Sequence, residues 1–380
     1  MRIEPPVPAD ALAAIRAPFL AAGARAVDPP ILQPLNLLLE LAGEAMRARL
    51  FVVQAEGGEE SCLRPDFTVA VARLHLEQGA VAGRYLYEGK AFRASPERTD
   101  RPEEFLQIGL ERFDAAGASV VEADAEIAGL GWRAAVAGGR GDLTLWLGDV
   151  ALFAAFVETL DLAPPLAARL KRAASRPRLL AAELARAGAE PQAPEAGRLA
   201  DLLAELSPAA AAVLLEEVWA LAGVTPVGGR GPAEIAQRLI RRSEGARAPA
   251  LTCAQADAVR AFLAVEDVPE AAFAAVAAMA GPKPQALESA LADWARRLDL
   301  LVQAGVPVAQ ARFATALGHA FDYYDGLTFE VRSASLGEDR PVAVGGRYDG
   351  LPARLGGAAA AAGAVGCMVR PWRALAGGEA

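Results

Sequence analysis

The sequence predicts an α+β fold in which one mixed sheet draws strands from both ends of the chain and a helical region is inserted between them. Three observations carry this. Residues 84–93 and 104–113 have the aromatic and apolar bias of strands and are joined by a polar, proline-containing loop, so they read as an antiparallel pair. Three more strand-like pieces, Arg312 to Leu317, Thr328 to Arg332 and Val342 to Val344, come only near the other end. From about Ala123 to Arg312 the composition turns to alanine, leucine and arginine, with helical periods broken at Gly138-Gly139, Pro164-Pro165, Gly228-Gly229 and Gly281-Pro282. The expected organisation is therefore a discontinuous core, 1–122 with 306–380, around a mainly helical 123–305.

Taken in order, Asp10 to Ala22 has apolar residues at helical spacing (Leu12, Ile15, Phe19), and Ala26 to Leu32 is extended because residues before proline avoid the helical region. Leu35 to Arg49 returns to helical periodicity. Leu50 to Val53 reads as a strand ending at Gly57-Gly58. After Leu63-Arg64-Pro65-Asp66 a helix runs through Val69, Val71, Leu74 and Leu76 to Gly79, with Asp66 or Thr68 as its cap. On the 104–113 strand, Gln107, Gly109 and Glu111 share one face at period two. A short strand is expected at Leu143 to Leu147, and Ala364 to Leu375 is a last apolar element.

The 380 residues are 53% apolar and 22% charged, which excludes disorder and collagen, and such a length supplies about two domains. The formal charge of -9 gives no general attraction to nucleic acid or anionic lipid. Only His75 and His319, and Cys62, Cys253 and Cys367, are available as imidazole or thiol ligands, and their spacing fits no metal motif. The N-terminus has no basic region followed by an apolar run, so a soluble, cytoplasmic protein with no membrane role is expected.

Gln107 and Glu111, with Asp66, Arg93 and the tyrosines at 323, 324 and 348, are the residues with chemistry to offer. Same-facing polar groups on an apolar sheet either face solvent or line a polar pocket, because each costs several kcal/mol if buried without a partner. Phe321-Asp322-Tyr323-Tyr324-Asp325-Gly326 reads as a turn whose aromatics serve either core or site. Gly345-Gly346-Arg347-Tyr348-Asp349-Gly350 is glycine-rich but lacks the phosphate-loop patterns.

Together these segments resemble the catalytic core of class II aminoacyl-tRNA synthetases, in the histidyl branch. Leu63-Arg64-Pro65-Asp66-Phe67-Thr68 is similar to that branch's LRPEGT, and Phe92-Arg93 with Gln107-Ile108-Gly109-Leu110-Glu111 resembles the two strands of motif 2. Phe321-Asp322-Tyr323-Tyr324 resembles the second histidine motif, Gly345 to Leu351 matches GGRYDGL, and motif 1 falls at Asp10 to Ile31. The resemblance implies an antiparallel sheet flanked by helices, a homodimer through motif 1, and a histidine pocket. In that pocket Asp66 and Gln107 accept from the ammonium, Thr68 adds a hydroxyl and Arg93 holds the carboxylate. Glu111 with Tyr324 clamps the imidazole, and Tyr323 and Tyr348 shape the walls.

Departures from the pattern narrow it. His319 stands where synthetases have the arginine of RGLDYY, and Ala94-Ser95 replaces the end of FRxE. Glu103 brings a carboxylate to the motif 2 loop, and Gly366 to Arg373 keeps an arginine without the GLER context of motif 3. No C-terminal anticodon-binding domain is expected. Histidine recognition is expected to be kept, and ATP chemistry and tRNA binding lost. That combination resembles the regulatory subunits of ATP phosphoribosyltransferase. The resemblance implies a non-catalytic partner of the short catalytic subunit in histidine biosynthesis, with L-histidine as feedback effector and no catalytic residues, metal or cofactor. The alternative is a histidine-activating ligase.

Overall fold

The computed structural model describes the chain apart from residues 43, 55–57, 59, 96–97, 99, 175–176, 189–201, 204, 222–231, 233–234, 237–238, 241–249, 280–284, 318–322, 357–362 and 379–380. His319, Phe321 and Asp322 lie outside the described residues, as do the breaks at Gly228-Gly229 and Gly281-Pro282.

Helix α1 (Ala9–Ala21) buries Ile15 and Phe19, and leads to β1 (Arg25–Val27) and β2 (Leu32–Pro34). The extended segment before α2 (Leu35–Ala42) thus divides at Pro29-Pro30, its halves joining different sheets. β3 (Val52–Val53) and β4 (Ser61–Leu63) complete a three-stranded antiparallel sheet in the order β2-β4-β3. Helix α3 (Thr68–Glu77) follows with Phe67 at its N-cap and no side-chain cap from that residue.

The principal sheet starts with β5 (Gly83–Phe92) and β6 (Glu104–Asp114), the expected antiparallel pair, in the register Tyr85↔Glu111, Tyr87↔Gly109 and Gly89↔Gln107. Helix α4 (Val120–Ala137) is N-capped by Ser119, whose Oγ accepts from the Glu122 N–H. β7 (Leu143–Asp149) ends in Asp149, which caps α5 (Val150–Val157) through the Ala151 N–H and accepts 2.7 Å from Trp294 Nε1. β8 (Glu266–Asp267), β9 (Arg312–Ala314), β10 (Leu327–Ser333), β11 (Ala343–Arg347) and β12 (Gly363–Val369) complete nine strands, ordered β1-β5-β6-β12-β11-β10-β7-β9-β8. Among the strands of the described residues, β1 with β5 and β7 with β9 pair in parallel and the others antiparallel. The element at 364–375 divides into β12 and the short helix Pro371–Ala374, broken by proline after Arg370.

Helix α4 lies on β10, β11 and β12, where Gly131 leaves room for the Phe329 ring; a Cβ there would come within 2.9 Å of it. Buried Asp124 on α4 accepts from Arg297 at 2.9 Å and Arg347 at 2.7 Å, so its charge is doubly compensated. A second core holds Phe67, Val71, Tyr85, Tyr87, Phe113, Tyr323 and Tyr348. His75 sits there as a structural residue, stacked on Phe113 at 4.2 Å with Nδ1 2.8 Å from the Tyr85 hydroxyl.

The chain forms two compact units, Met1–Leu160 with Ala174–Arg176 and Val259–Ala380, and Asp161–Ala173 with Pro177–Ala258. The second is narrower than the 123–305 expected of the inserted region. β7 is a full strand of the principal sheet and α4 packs on its neighbours, which ties 120–157 to the first unit. Within the second unit Leu203, Ala211, Leu215 and Ala236 form a small core. Among the described residues no helix is long and apolar enough to cross a membrane, and no group of three or more His, Cys, Asp or Glu could hold a metal ion.

Candidate functional site

A cavity of about 240 Å³ runs along β6, with Phe105 and Glu111 both in its wall. Six residue steps of strand separate them, about 20 Å, so the cavity has two distinct ends. One end gathers Asp66, Thr68, Tyr87, Glu111, Tyr323, Tyr324 and Gly366; around Phe105 the wall holds Arg49, Arg93, Arg101, Arg370 and Arg373. The volume lies below the roughly 300–1,000 Å³ of pockets for drug-sized ligands and suits a small metabolite.

The period-two face of β6 puts Glu111 inward, and antiparallel pairing brings β5 on one side and β12 on the other. Glu111 is 1% exposed. Its Oε1 accepts from Thr68 Oγ1 at 2.8 Å and from the Tyr87 hydroxyl at 3.3 Å, and its Oε2 accepts from the Tyr348 hydroxyl. Burial pushes the Glu111 carboxyl up to about 8, outweighing the three hydroxyls that favour its charged form. Glycines make this packing possible. A Cβ on Gly366, directly across β12 from Glu111, would overlap its Oε2 and lie 2.6 Å from its Cδ. Gly346 similarly admits the Tyr324 ring, 2.6 Å from where its Cβ would be.

Asp66 precedes α3 and is buried; the Thr68 and Val69 N–H groups at the start of that helix favour its charged form, and neither carboxylate oxygen has a close, well-aligned hydrogen bond among the described residues. The nearest cation is Arg93 Nη2 at 4.0 Å, and burial, opposed by that arginine, raises the carboxyl above its ordinary value. A buried acceptor pair left open in this way wants a donor from a ligand. Asp66→Asn, which removes the buried charge, is expected to raise stability by about 1–2 kcal/mol, measured as a higher urea midpoint.

Six of the eight residues named from sequence line the cavity: Asp66, Thr68, Arg93, Glu111, Tyr323 and Tyr324. The other two are not in its wall. Tyr348, fully buried, holds Glu111 through its hydroxyl, and Gln107 is buried with Nε2 donating 3.6 Å to the sulfur of Met368, a wall residue. Gln107 Oε1 has no partner among the described residues. The hydroxyls bonded to Glu111 belong to Thr68, Tyr87 and Tyr348, while Tyr324 stands beside Tyr323 with ring centres 4.8 Å apart.

Sequence reasoning missed Tyr87, Gly366 and the arginines 49, 101 and 370. The signal for Tyr87 lay in the alternation Tyr85, Tyr87, Gly89: in register with β6 it falls opposite Gly109, where a ring has room to pass over the strand. Its stack on Phe67, 4.4 Å between centres and 7° from parallel, then aims the hydroxyl at Glu111.

A family model described as histidyl-tRNA synthetase matches residues 9–226 and 234–368. The ATP phosphoribosyltransferase regulatory subunits of Brucella canis and Brucella suis are each 35% identical over 347 residues, 90% of this chain and 90% of theirs. Among solved structures, an ATP phosphoribosyltransferase regulatory subunit/histidyl-tRNA synthetase from Bacillus halodurans aligns with a TM-score of 0.61 at 20% identity, covering 95% of this chain and 76% of that one. Histidyl-tRNA synthetase from Nostoc aligns with a TM-score of 0.60 at 14% identity, covering 96% and 69%. These likenesses show the fold, an α+β synthetase-like sheet flanked by helices.

Proposed function

The chain belongs to the synthetase-like family of ATP phosphoribosyltransferase regulatory subunits, and from that premise we propose that it binds free histidine in this cavity and transmits the binding to a short catalytic subunit as feedback control. The observation that carries the reading is the acceptor-rich end of the cavity: Asp66 buried with no side-chain donor in hydrogen-bond reach and only the backbone N–H groups of Thr68 and Val69 nearby, and Glu111 buried and bonded by hydroxyls. Histidine offers complementary donors. Its ammonium would meet Asp66, its carboxylate Arg93, and its imidazole Glu111, with Thr68, Tyr323 and Tyr324 closing the walls and Tyr348 holding Glu111 in place. Gln107 would join the ammonium only by turning its unpartnered carbonyl towards the ligand. An analogue without the imidazole N–H would leave a buried carboxylate unanswered, which is the basis of selectivity.

Regulation follows if histidine binds one arrangement of the complex better than another; a coupling of about 1–3 kcal/mol is typical and works in both directions. Exposed Ile31 at the end of motif 1, with exposed Leu32, Val52 and Val53 on the adjoining small sheet, supports a homodimer through motif 1 and its surroundings. The complex would work in the cytoplasm without tRNA. The test is phosphoribosyltransferase activity of a short catalytic subunit with and without this chain. The expected result is a faster reaction that histidine inhibits; an unchanged rate and no histidine sensitivity would overturn the proposal. Histidine-dependent exchange of pyrophosphate into ATP would instead identify a ligase.

A further inference from the structure

Phe67 stands at the N-cap of α3 but makes no capping bond there, and its ring is fully buried. Tyr87 is stacked on that ring, 4.4 Å between centres, and the Arg64 guanidinium lies 3.9 Å from the ring centre. A parallel ring and a guanidinium at those distances fill opposite faces, so Phe67 is held between them. Glycine makes the room: a Cβ on Gly89, two residues along β5 from Tyr87, would lie 2.7 Å from Arg64 Nη2 and 3.0 Å from Phe67 Cζ. In the similar synthetase segment LRPEGT the place of Phe67 is taken by glycine, so the stack comes from this chain's own spelling.

Arg64 fastens the stack to two backbone segments. Its Nη1 donates to Pro29 O at 2.6 Å and its Nε to Lys90 O at 2.9 Å. The side chain is 3% exposed, and the carboxylate beside it, Asp28 at 4.0 Å, is on the surface. Carbonyl dipoles and the face of Phe67 therefore hold this buried charge, an arrangement that suits a planar guanidinium better than an ammonium. At the other end of the stack the Tyr87 phenol passes over Gly109 of β6. Its hydroxyl then has two acceptors in reach, Glu111 Oε1 at 3.3 Å and Cys367 O at 3.4 Å. Where the ring stands decides between them.

We propose that Arg64 and Phe67 are positioning residues of the ligand site, their stack on Tyr87 keeping its hydroxyl on Glu111 instead of on Cys367 O. Neither lines the cavity, so both act through Tyr87, whereas Thr68, the next residue along the chain, reaches the same Glu111 oxygen directly. This assignment rests on the histidine site proposed above for its affinity readout, and has a second readout that needs no ligand.

Tyr87→Phe, which removes only the hydroxyl, should weaken histidine binding about tenfold in a calorimeter, the scale of one hydrogen bond to a charged group. Phe67→Leu should weaken it by a similar factor, and should change nothing further in the Tyr87→Phe background. A merely structural role for Phe67 would give losses that multiply. The second readout is the pH dependence of stability. The Tyr87 hydroxyl favours the charged form of Glu111, so once it turns away the folded chain should hold the Glu111 proton beyond about pH 8. In Phe67→Leu the fall in urea midpoint with rising pH should then continue past the point where the unsubstituted chain levels off. Asp66, Tyr323, Tyr324, Tyr348 and Cys367, the other titratable groups around Glu111, are the same in both chains. Gly89→Ala presses on the same stack from β5 and repeats both measurements if Phe67→Leu does not fold. Unchanged histidine affinity, losses that multiply, or levelling at the same pH would each overturn the proposal. If the unsubstituted chain binds no histidine, the functional reading fails and the pH curves alone decide the role of the stack.

Discussion

Glu111→Ala is expected to reduce histidine affinity by about 2–5 kcal/mol, roughly thirty- to several-thousandfold in Kd, while circular dichroism still reports a folded chain. The size follows from burial: a carboxylate 1% exposed has no water to share its partner, so its removal leaves a ligand N–H facing apolar wall. The hydroxyls of Thr68, Tyr87 and Tyr348 lose their common acceptor as well. Calorimetry with histidine decides the matter, and an unchanged Kd would move the ligand elsewhere.

The same residue gives a pH signature. The folded chain holds the Glu111 proton up to about pH 8, whereas an unfolded glutamate releases it near 4.5. Over that window the native state binds more protons than the unfolded one, so the contribution to stability falls as pH rises and levels off above about 8. Glu111→Gln should flatten this slope, and the difference between the two chains' urea midpoints from pH 4.5 to 8 isolates it. A parallel pair of curves would mean that Glu111 ionises normally.

The second large effect is expected at Gly366→Ala, a single methyl group added in the cavity wall beside Glu111. The new Cβ would overlap Glu111 Oε2 and stand 3.0 Å from Leu110 O on the neighbouring strand. The backbone atom cannot yield, so the carboxylate must. Glu111 would leave its three hydroxyls, with about 1–3 kcal/mol lost to overpacking and histidine affinity falling at least about a hundredfold. Gly141→Ala is the control: nothing lies within 4 Å of its Cβ position, and both stability and affinity should hold. Affinity retained in Gly366→Ala would show that Glu111 is not held where the ligand needs it.

The pairing of β5 with β6 was legible because alternation and a polar connecting loop are local signals. So was α3, which spans Thr68–Glu77 as its apolar spacing requires. β1 and β2 were harder to separate: Pro29-Pro30 marks an extended segment but cannot say that its two halves join different sheets. The part of 123–305 that belongs to the first unit was hidden for a similar reason, since α4 and the helix Gln285–Gln303 have the same alanine-rich texture as helices of the second.

By itself the sequence determined the α+β class, the order of the motifs and the face of β6 that carries Gln107, Gly109 and Glu111, all properties of residues near one another along the chain. Only the tertiary structure decided which partners those groups have. Tyr87 and Tyr348 reach Glu111 from different strands, Gln107 turns to Met368, Gly366 gives the carboxylate its room, and Glu4 meets Arg370. Each of those contacts crosses the sheet between segments 24 to 366 residues apart in the chain. Strand order and register set them, and no period in a single segment encodes either.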